Sequence, residues 1–529
     1  MVEVLPERTS RQLGKDAQRN NILAAKVVAD IVKTTLGPKG MDKMLVDSTG
    51  NIIVTNDGVT ILEEMQIEHP AAKMLVEIAK TQESEVGDGT TTAVMLAGKL
   101  LERAEFLLDK NIHPTVIVKG YRLAAEKAIS VLNELCIEVS NLNVLRQIAM
   151  TAMTGKGAEG NKEKLSELIV TAVDQIAKDK EIDLDNIKIE KIRGESIEQS
   201  ELVQGIVLNK ERANKEMPSK IKDAKILLID FPLEVRQIEK EARISITSPE
   251  QLDSFIESEE KYLKDIVDKV SEIRANVVFC QKGIDDVAQY YFARRGILAC
   301  RRVEKSDLEK LAKATGGKII SSLKDINEAE LGKAEIVEEV KEGEESLIYI
   351  RECLNPRAVS FILRAGSSHV LDEIERAVKD GLGDVVSAIK SGKVVPGGGA
   401  VEIELSRRLK SFARTLGGRE QLAVEEFANS LESIPEALAE NAGLDPIDIL
   451  AELKSRHESG NMRDGLNLFT NKIEDSFNAG IIEPIKVKSQ AISSASEVAM
   501  MILRIDDVLI SEGNSSNKNS RIREPEIED

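Results

Sequence analysis

The spacing of apolar residues changes twice along this chain, and that double change narrows the folds open to it. From Leu13 to Lys33 apolar side chains return every three or four residues, among them Ile22, Ala25, Val28, Ala29 and Val32, which predicts an amphipathic helix that Gly37 and Pro38 stop. The same period predicts helices over Ala71 to Lys80, Ala93 to Leu108, Pro114 to Leu135 and Lys162 to Lys178. In the middle, Lys225 to Phe231 (KILLIDF) and Ala275 to Cys280 (ANVVFC) are short apolar runs bounded by polar residues, which read as buried strands. Between them Pro249 to Ile273 predicts a long amphipathic helix, and strand, helix and strand signals continue through Ile284 to Val303. The helical period returns in Glu402 to Leu416, Glu420 to Asn441 and Pro446 to His457. Helical ends around a mixed centre predict a multidomain α and α/β protein, and 529 residues suggest three to four domains.

Composition removes several function classes. The net charge of −19 repels nucleic-acid phosphate, and with 3% aromatic residues and no tryptophan there is little to stack bases on, so no specific nucleic-acid partner is expected. The four cysteines and four histidines are scattered, without a Cys-x-x-Cys pair or metal-ligand spacing, which argues against a disulfide framework and a zinc site. The start, MVEVLPERTSR, is too polar for a signal peptide, and no apolar run could cross a bilayer, so no membrane segment and a cytoplasmic location are expected.

Three glycine-containing segments could approach phosphate: Thr35 to Gly40 (TLGPKG), Gly87 to Thr92 (GDGTTT) and Pro396 to Gly399 (PGGG). Any one of them alone reads first as a turn. The second is sharper, because Thr90, Thr91 and Thr92 open the helix expected at Ala93, where free amides and the helix dipole favour an anion. Asp88 would repel phosphate there unless it held Mg²⁺, a hard cation bound by one or two carboxylates and phosphate oxygens. No Gly-Lys pair is followed by Ser or Thr, so the common P-loop is absent. Gly155, Gly157 and Gly160 match Gly-x-Gly-x-x-Gly, but no strand pattern precedes them, as dinucleotide binding requires. Asp57 in NDG and Asp380 in RAVKDG are candidates to orient a water, although the first reads equally as a turn and the second as a solvated helix residue.

Taken together, TTLGPKGMDKMLVD (34–47), TNDGVTIL (55–62), EVGDGTTTAVMLAG (85–98), VVPGGGAVEIEL (394–405) and GIIEPIKVK (480–488) closely resemble the signature of the group II chaperonin family. ANVVFCQKGIDDVAQYYFARRGI (275–297) and LEKLAKATGG (308–317) are similar to its apical region, so the resemblance spans almost the whole chain.

It implies a mainly helical equatorial ATPase domain in two parts (1–145 and 399–510) and a small α/β intermediate domain in two parts (146–212 and 363–398). A central α/β apical domain (213–362) would carry a helical lid protrusion near 242–274, and 511–529 would be a disordered tail. It also implies the cofactors ATP and Mg²⁺, other chaperonin subunits as partners in a homo- or hetero-oligomeric double ring, and unfolded polypeptides as substrates.

By the same resemblance Thr35, Leu36, Gly37, Pro38, Gly89, Thr90, Thr91 and Thr92 would contact the phosphates, and Lys156 in TGKG would sense the terminal one. Asp88 would hold Mg²⁺, while Gly398 and Glu483 would face the nucleoside with help from Lys488. Asp57 and Asp380 would position the attacking water. The tail departs from the family, whose archaeal members often end in glycine and methionine repeats that 511–529 lacks. Two other function classes are also compatible with such a chain: an assembly component or passive holdase with a regulatory or inactive nucleotide site, and a metabolic phosphotransferase.

Overall fold

The computed structural model describes residues 9–46, 50–177, 182–194, 196–234, 249–343, 345–354 and 356–511. Helices from both ends of the chain share one core. Gly14–Lys33, Pro70–Val86, Thr90–Asp109 and Pro114–Leu135 pack with Ala400–Ala413, Glu420–Leu431 and Ile485–Leu503, and Leu75, Ile78, Leu96, Tyr121 and Phe427 are sealed between them. The Thr90–Asp109 helix lies at the centre of this bundle and touches helices from both chain ends. Tyr121 meets the Phe427 ring edge-on at 5.6 Å and gives its hydroxyl proton to the Leu100 carbonyl at 2.7 Å, so its polar tip is satisfied inside the core. A short ribbon of Thr9–Leu13 and Asp507–Ser511, antiparallel, ties the two chain ends together.

A second core lies between Leu142–Met153, Lys162–Ile176 and Ser368–Ser391 on one side and a three-stranded sheet on the other. In that sheet Val359–Ala365 is central, parallel to Ile187–Arg193 and antiparallel to Glu201–Val203. All seven of its residues are buried. Val359, Phe361 and Leu363 face the helices, whereas Ile362 packs with Ile192, Val203, Val207, Leu347 and Tyr349 against the next region. Ser360 and Arg364 reach across as well, Ser360 accepting from the Val207 amide at 2.9 Å and Arg364 gripping both oxygens of Glu342 at 3.0 and 2.9 Å.

The third region is a seven-stranded mixed sheet. Leu298–Cys300, Val277–Cys280 and Lys220–Ile229 run parallel, Gly332–Glu342, Glu345–Arg351 and Ile206–Leu208 follow antiparallel, and the two-residue strand Ile319–Ile320 pairs parallel with the end of Lys220–Ile229. The apolar run in Lys220–Ile229 is unbroken because both faces are covered. Ile226 and Leu228 lie with Leu308 and Leu311, and Leu227 and Ile229 lie with Leu263, Val267, Val270 and Phe292.

Several expectations change in detail. The helix expected over Glu420–Asn441 is two helices, Glu420–Leu431 and Ser433–Asn441, because Pro435 has no amide to donate to the Leu431 carbonyl. The helix expected at Ala93 begins at Thr90, so the three threonines are its first turn. The long central helix runs Pro249–Glu272, and its second half is an ordinary core element through Leu263, Ile266, Val267 and Val270. The expected protrusion begins outside the described residues, as does the expected tail beyond Ser511, which itself pairs with Thr9.

Candidate functional site

A cavity of about 330 Å³ opens where the first and second cores meet. One wall is the loop Gly87–Asp88–Gly89 and the start of the Thr90–Asp109 helix. Gly89 has φ 81°, and a side chain there would meet Val487 at 2.7 Å, so glycine is required for the chain to turn into the helix. The buried Gln82 donates to the Asp88 carbonyl at 2.8 Å and to the Val487 carbonyl at 3.2 Å, which holds the loop in place. The first-turn amides of Thr90, Thr91 and Thr92 have no partner within their own helix, which suits an anion.

Opposite lies the turn Thr35–Gly40. The Gly14–Lys33 helix ends before it, and Asn441 donates to the Lys33 and Leu36 carbonyls at 3.0 and 2.9 Å. Thr35, Leu36, Gly37 and Pro38 all line the cavity. Asp57 lines it too, but it is also the N-cap of the Gly58–Glu64 helix, with its carboxylate accepting from the Thr60 amide at 2.8 Å and the Thr60 hydroxyl at 2.6 Å. The sequence reading allowed a turn or a water-orienting group at Asp57; the capping role is a third reading, compatible with the second.

Lys156 comes from the turn after the Leu142–Met153 helix, so the glycine-rich stretch there follows a helix rather than the strand of a dinucleotide fold. Its ammonium pairs with Asp380 on the Ser368–Ser391 helix and stands 3.7 Å from Asp88. Burial alone would lower the Lys156 pKa, but Asp380 and Asp88 outweigh it and raise it. For Asp380 burial dominates over the pull of Lys156 and, aided by Asp88, pushes the carboxyl up to about 7. Asp380 and Asp88 thus flank one lysine, and the charge of Asp57, from a third stretch, also acts on it. The segments are latched by Asn56 donating to the Gly155 carbonyl at 3.1 Å and Arg376 donating to the Thr55 hydroxyl at 2.5 Å.

The far end holds Gly398, Glu483 and Lys488. Lys488 sits between Glu483 at 2.7 Å and Glu402 at 2.9 Å, so it fixes Glu483 more directly than it faces the cavity. Burial raises the Glu483 carboxyl although Lys488 opposes it. Leu438, Leu466, Leu468, Phe469 and Ile481 add an apolar wall here, with the Lys162 ammonium 4.6 Å from the Phe469 ring centre.

Sequence reasoning missed this wall, along with Glu83 and Asp384. Burial, with Asp380, Asp57 and Asp88 nearby, pushes Glu83 up to about 8. Asp384 lies one helical turn beyond Asp380, and that i, i+4 spacing was a readable signal.

The surplus of carboxylates would repel a bare triphosphate, and no three His, Cys, Asp or Glu side chains among the described residues form a ready metal cage. These donors therefore fit a magnesium ion that arrives with phosphate oxygens and water, as hard cations with few protein ligands do. Asp88, one third exposed and facing the cavity, is suited to hold it.

The profile of the TCP-1/cpn60 chaperonin family matches residues 28–512. Thermosome subunit beta of Archaeoglobus fulgidus is 56% identical over 98% of this chain and 96% of its own length. Thermosome subunit alpha of the same organism is 55% identical with the same coverage of both chains. The thermosome subunit of Methanopyrus kandleri is 55% identical over 96% of this chain and 94% of its own.

Proposed function

Because the chain belongs to the TCP-1/cpn60 chaperonin family and is a group II chaperonin acting in protein folding, we propose that its cavity binds and hydrolyses Mg-ATP to drive that work. The observation that carries this reading is Lys156, held between Asp380 from one core and Asp88 from the other, at a cavity of about 330 Å³. A charge cluster straddling two packed regions suits a reaction whose progress moves one region against the other.

The amides of Thr90, Thr91 and Thr92 and the turn Thr35–Pro38 receive phosphate oxygens, and Asp88 holds Mg²⁺. When bound, the cation neutralises charge on the phosphate oxygens. Gly398 and Glu483 face the nucleoside, Lys488 fixes Glu483, and the Leu466–Phe469 wall covers the base. Asp57 and Asp380 orient a water. As its oxygen bonds to the terminal phosphorus, Asp380 takes its proton and the bridging oxygen leaves with ADP. Lys156 then meets the terminal phosphate as well as Asp380, so it reports on that phosphate to the Ser368–Ser391 helix.

We assign residues 1–145 and 399–510 to an equatorial domain, 146–212 and 363–398 to an intermediate one, and 213–362 to an apical one that captures unfolded polypeptide. The separate cores support three such domains, with Ile206–Leu208 lying in the sheet of the third region and the whole of Val359–Ala365 in the sheet of the second, so these two strands cross the assigned limits. Relatives named as alpha and beta subunits support assembly with like or unlike chains into a double ring. A cytoplasmic location is part of the same proposal, and no described helix is long and apolar enough to cross a membrane.

Purified protein is expected to release phosphate from ATP in Mg²⁺. Asp57→Ala and Asp380→Ala are expected to keep ATP binding but slow release at least about a hundredfold, the usual worth of a positioned base. Normal turnover in both variants contradicts the assignment, and native protein that binds ATP without releasing phosphate points to a passive holdase.

A further inference from the structure

Asp384 is 2% exposed, lines the cavity, and has an Oδ1 with no hydrogen-bond partner among the described residues. Leaving a buried polar group unpaired costs about 1–3 kcal/mol, more for a charged one, so a bound group that supplies donors is expected. The backbone brings Asp384 to one place in particular. A side chain on Gly383 would lie 2.8 Å from the Val86 carbonyl and 3.4 Å from the Gly87 Cα, so this turn of the Ser368–Ser391 helix presses on the loop that carries Asp88. The ionisable neighbours Asp384 feels most are Asp88, then Glu483, then Lys156 and Asp380. Lys156 is already engaged by Asp380, and phosphate oxygens offer only more negative charge. Water polarised by a cation offers donors.

We propose that Asp384 is an outer carboxylate of the divalent-cation site, accepting hydrogen bonds from water carried by the cation that Asp88 and the phosphates hold. It is a positioning residue: it touches neither the nucleotide nor the cation, and it orients the hydrated cation against the Gly87–Gly89 loop. The assignment rests on the Mg-ATP reading. It differs from a neutral carboxylic acid donating to phosphate, because an amide at 384 would preserve that donor.

Calorimetry of the full chain with adenylyl imidodiphosphate, a non-hydrolysable ATP analogue, at graded Mg²⁺ and in EDTA separates the cases. Asp384→Asn and Asp384→Ser are expected to raise the Mg²⁺ concentration for half-maximal binding about tenfold, the scale of a lost outer-shell partner. Their affinity for the analogue in EDTA should stay level or tighten, since a negative charge has gone. Weakening that is equal with and without Mg²⁺ means damage to the site and overturns the assignment. An unchanged Mg²⁺ requirement in both variants, while Asp88→Ala still raises it, overturns Asp384 alone. No analogue binding by the native chain, or no effect of Asp88→Ala, overturns the Mg-ATP reading itself. Native chain loaded with Mn²⁺ and the analogue needs no variant to fold: proton electron–nuclear double resonance should show water on the Mn²⁺, and a cation stripped of water overturns the assignment.

Discussion

Glu404 shows how a single buried charge is held in this protein. Its side chain is fully buried, within 2.6 Å of Arg407, 2.8 Å of Arg408 and 3.2 Å of His457. Burial alone would raise its carboxyl, but His457, Arg407 and Arg408 outweigh it and hold the pKa down to about 2. A folded value below the ordinary 4.5 means the contribution to stability is complete above about pH 4.5 and is lost as pH falls toward 2. Glu404→Gln should therefore destabilise by about 3 kcal/mol at neutral pH, as breaking a buried pair does. Thermal melts should show the gap to native protein closing between pH 4.5 and 2, and a gap independent of pH contradicts the account. At this scale the sequence is least legible. Asp380, Asp384 and Glu83 all sit on helices, where a carboxylate usually means a wet face, and only the packing of one helix across another takes them out of water. Gly87–Thr92 was easier, because a left-handed turn into a helix start is a local need that glycine followed by threonine announces, even though Val487 adds a constraint from afar.

Among the elements, the Ser368–Ser391 helix carries both Asp380 and Asp384 and meets the end of Pro70–Val86 at Gly383. Gly383→Val would place atoms 2.8 Å or less from the Val86 carbonyl and force the two helices apart. The expected result is loss of most phosphate release with nucleotide binding retained, because the loops proposed to face the phosphates belong to the first core; release at the native rate contradicts it. Helix existence was readable from period alone in Gly14–Lys33, Pro114–Leu135 and Pro446–Glu458, where nothing competes with the apolar stripe. Glu420–Leu431 was misjudged because the stripe continues through Pro435 although the backbone hydrogen bonds do not. The hairpin Asp464–Asn467 and Lys472–Asp475, which supplies much of the apolar wall, is too short and polar to announce itself.

For the whole molecule, the helical core needs Leu405, Phe427 and Ile492 from late in the chain as well as Leu75 and Leu96 from early in it, so the central sheet is an insertion between two halves of one core. The change of apolar period made that order visible, but not which residues meet across it. If the subunits assemble as proposed, electron microscopy of the purified protein should show double rings that are open without nucleotide and closed with Mg-ATP. Separate subunits in both states contradict the proposal. Val359–Ala365 bears on how such closure is transmitted. Its two faces belong to different cores, and its ends are gripped through Ser360 and Arg364, so sliding against either neighbour would open voids and strand charges. The strand behaves as a rivet through two plates: on the proposed reading, a tilt of Ser368–Ser391 at the terminal phosphate would swing the sheet assigned to the apical part along with it.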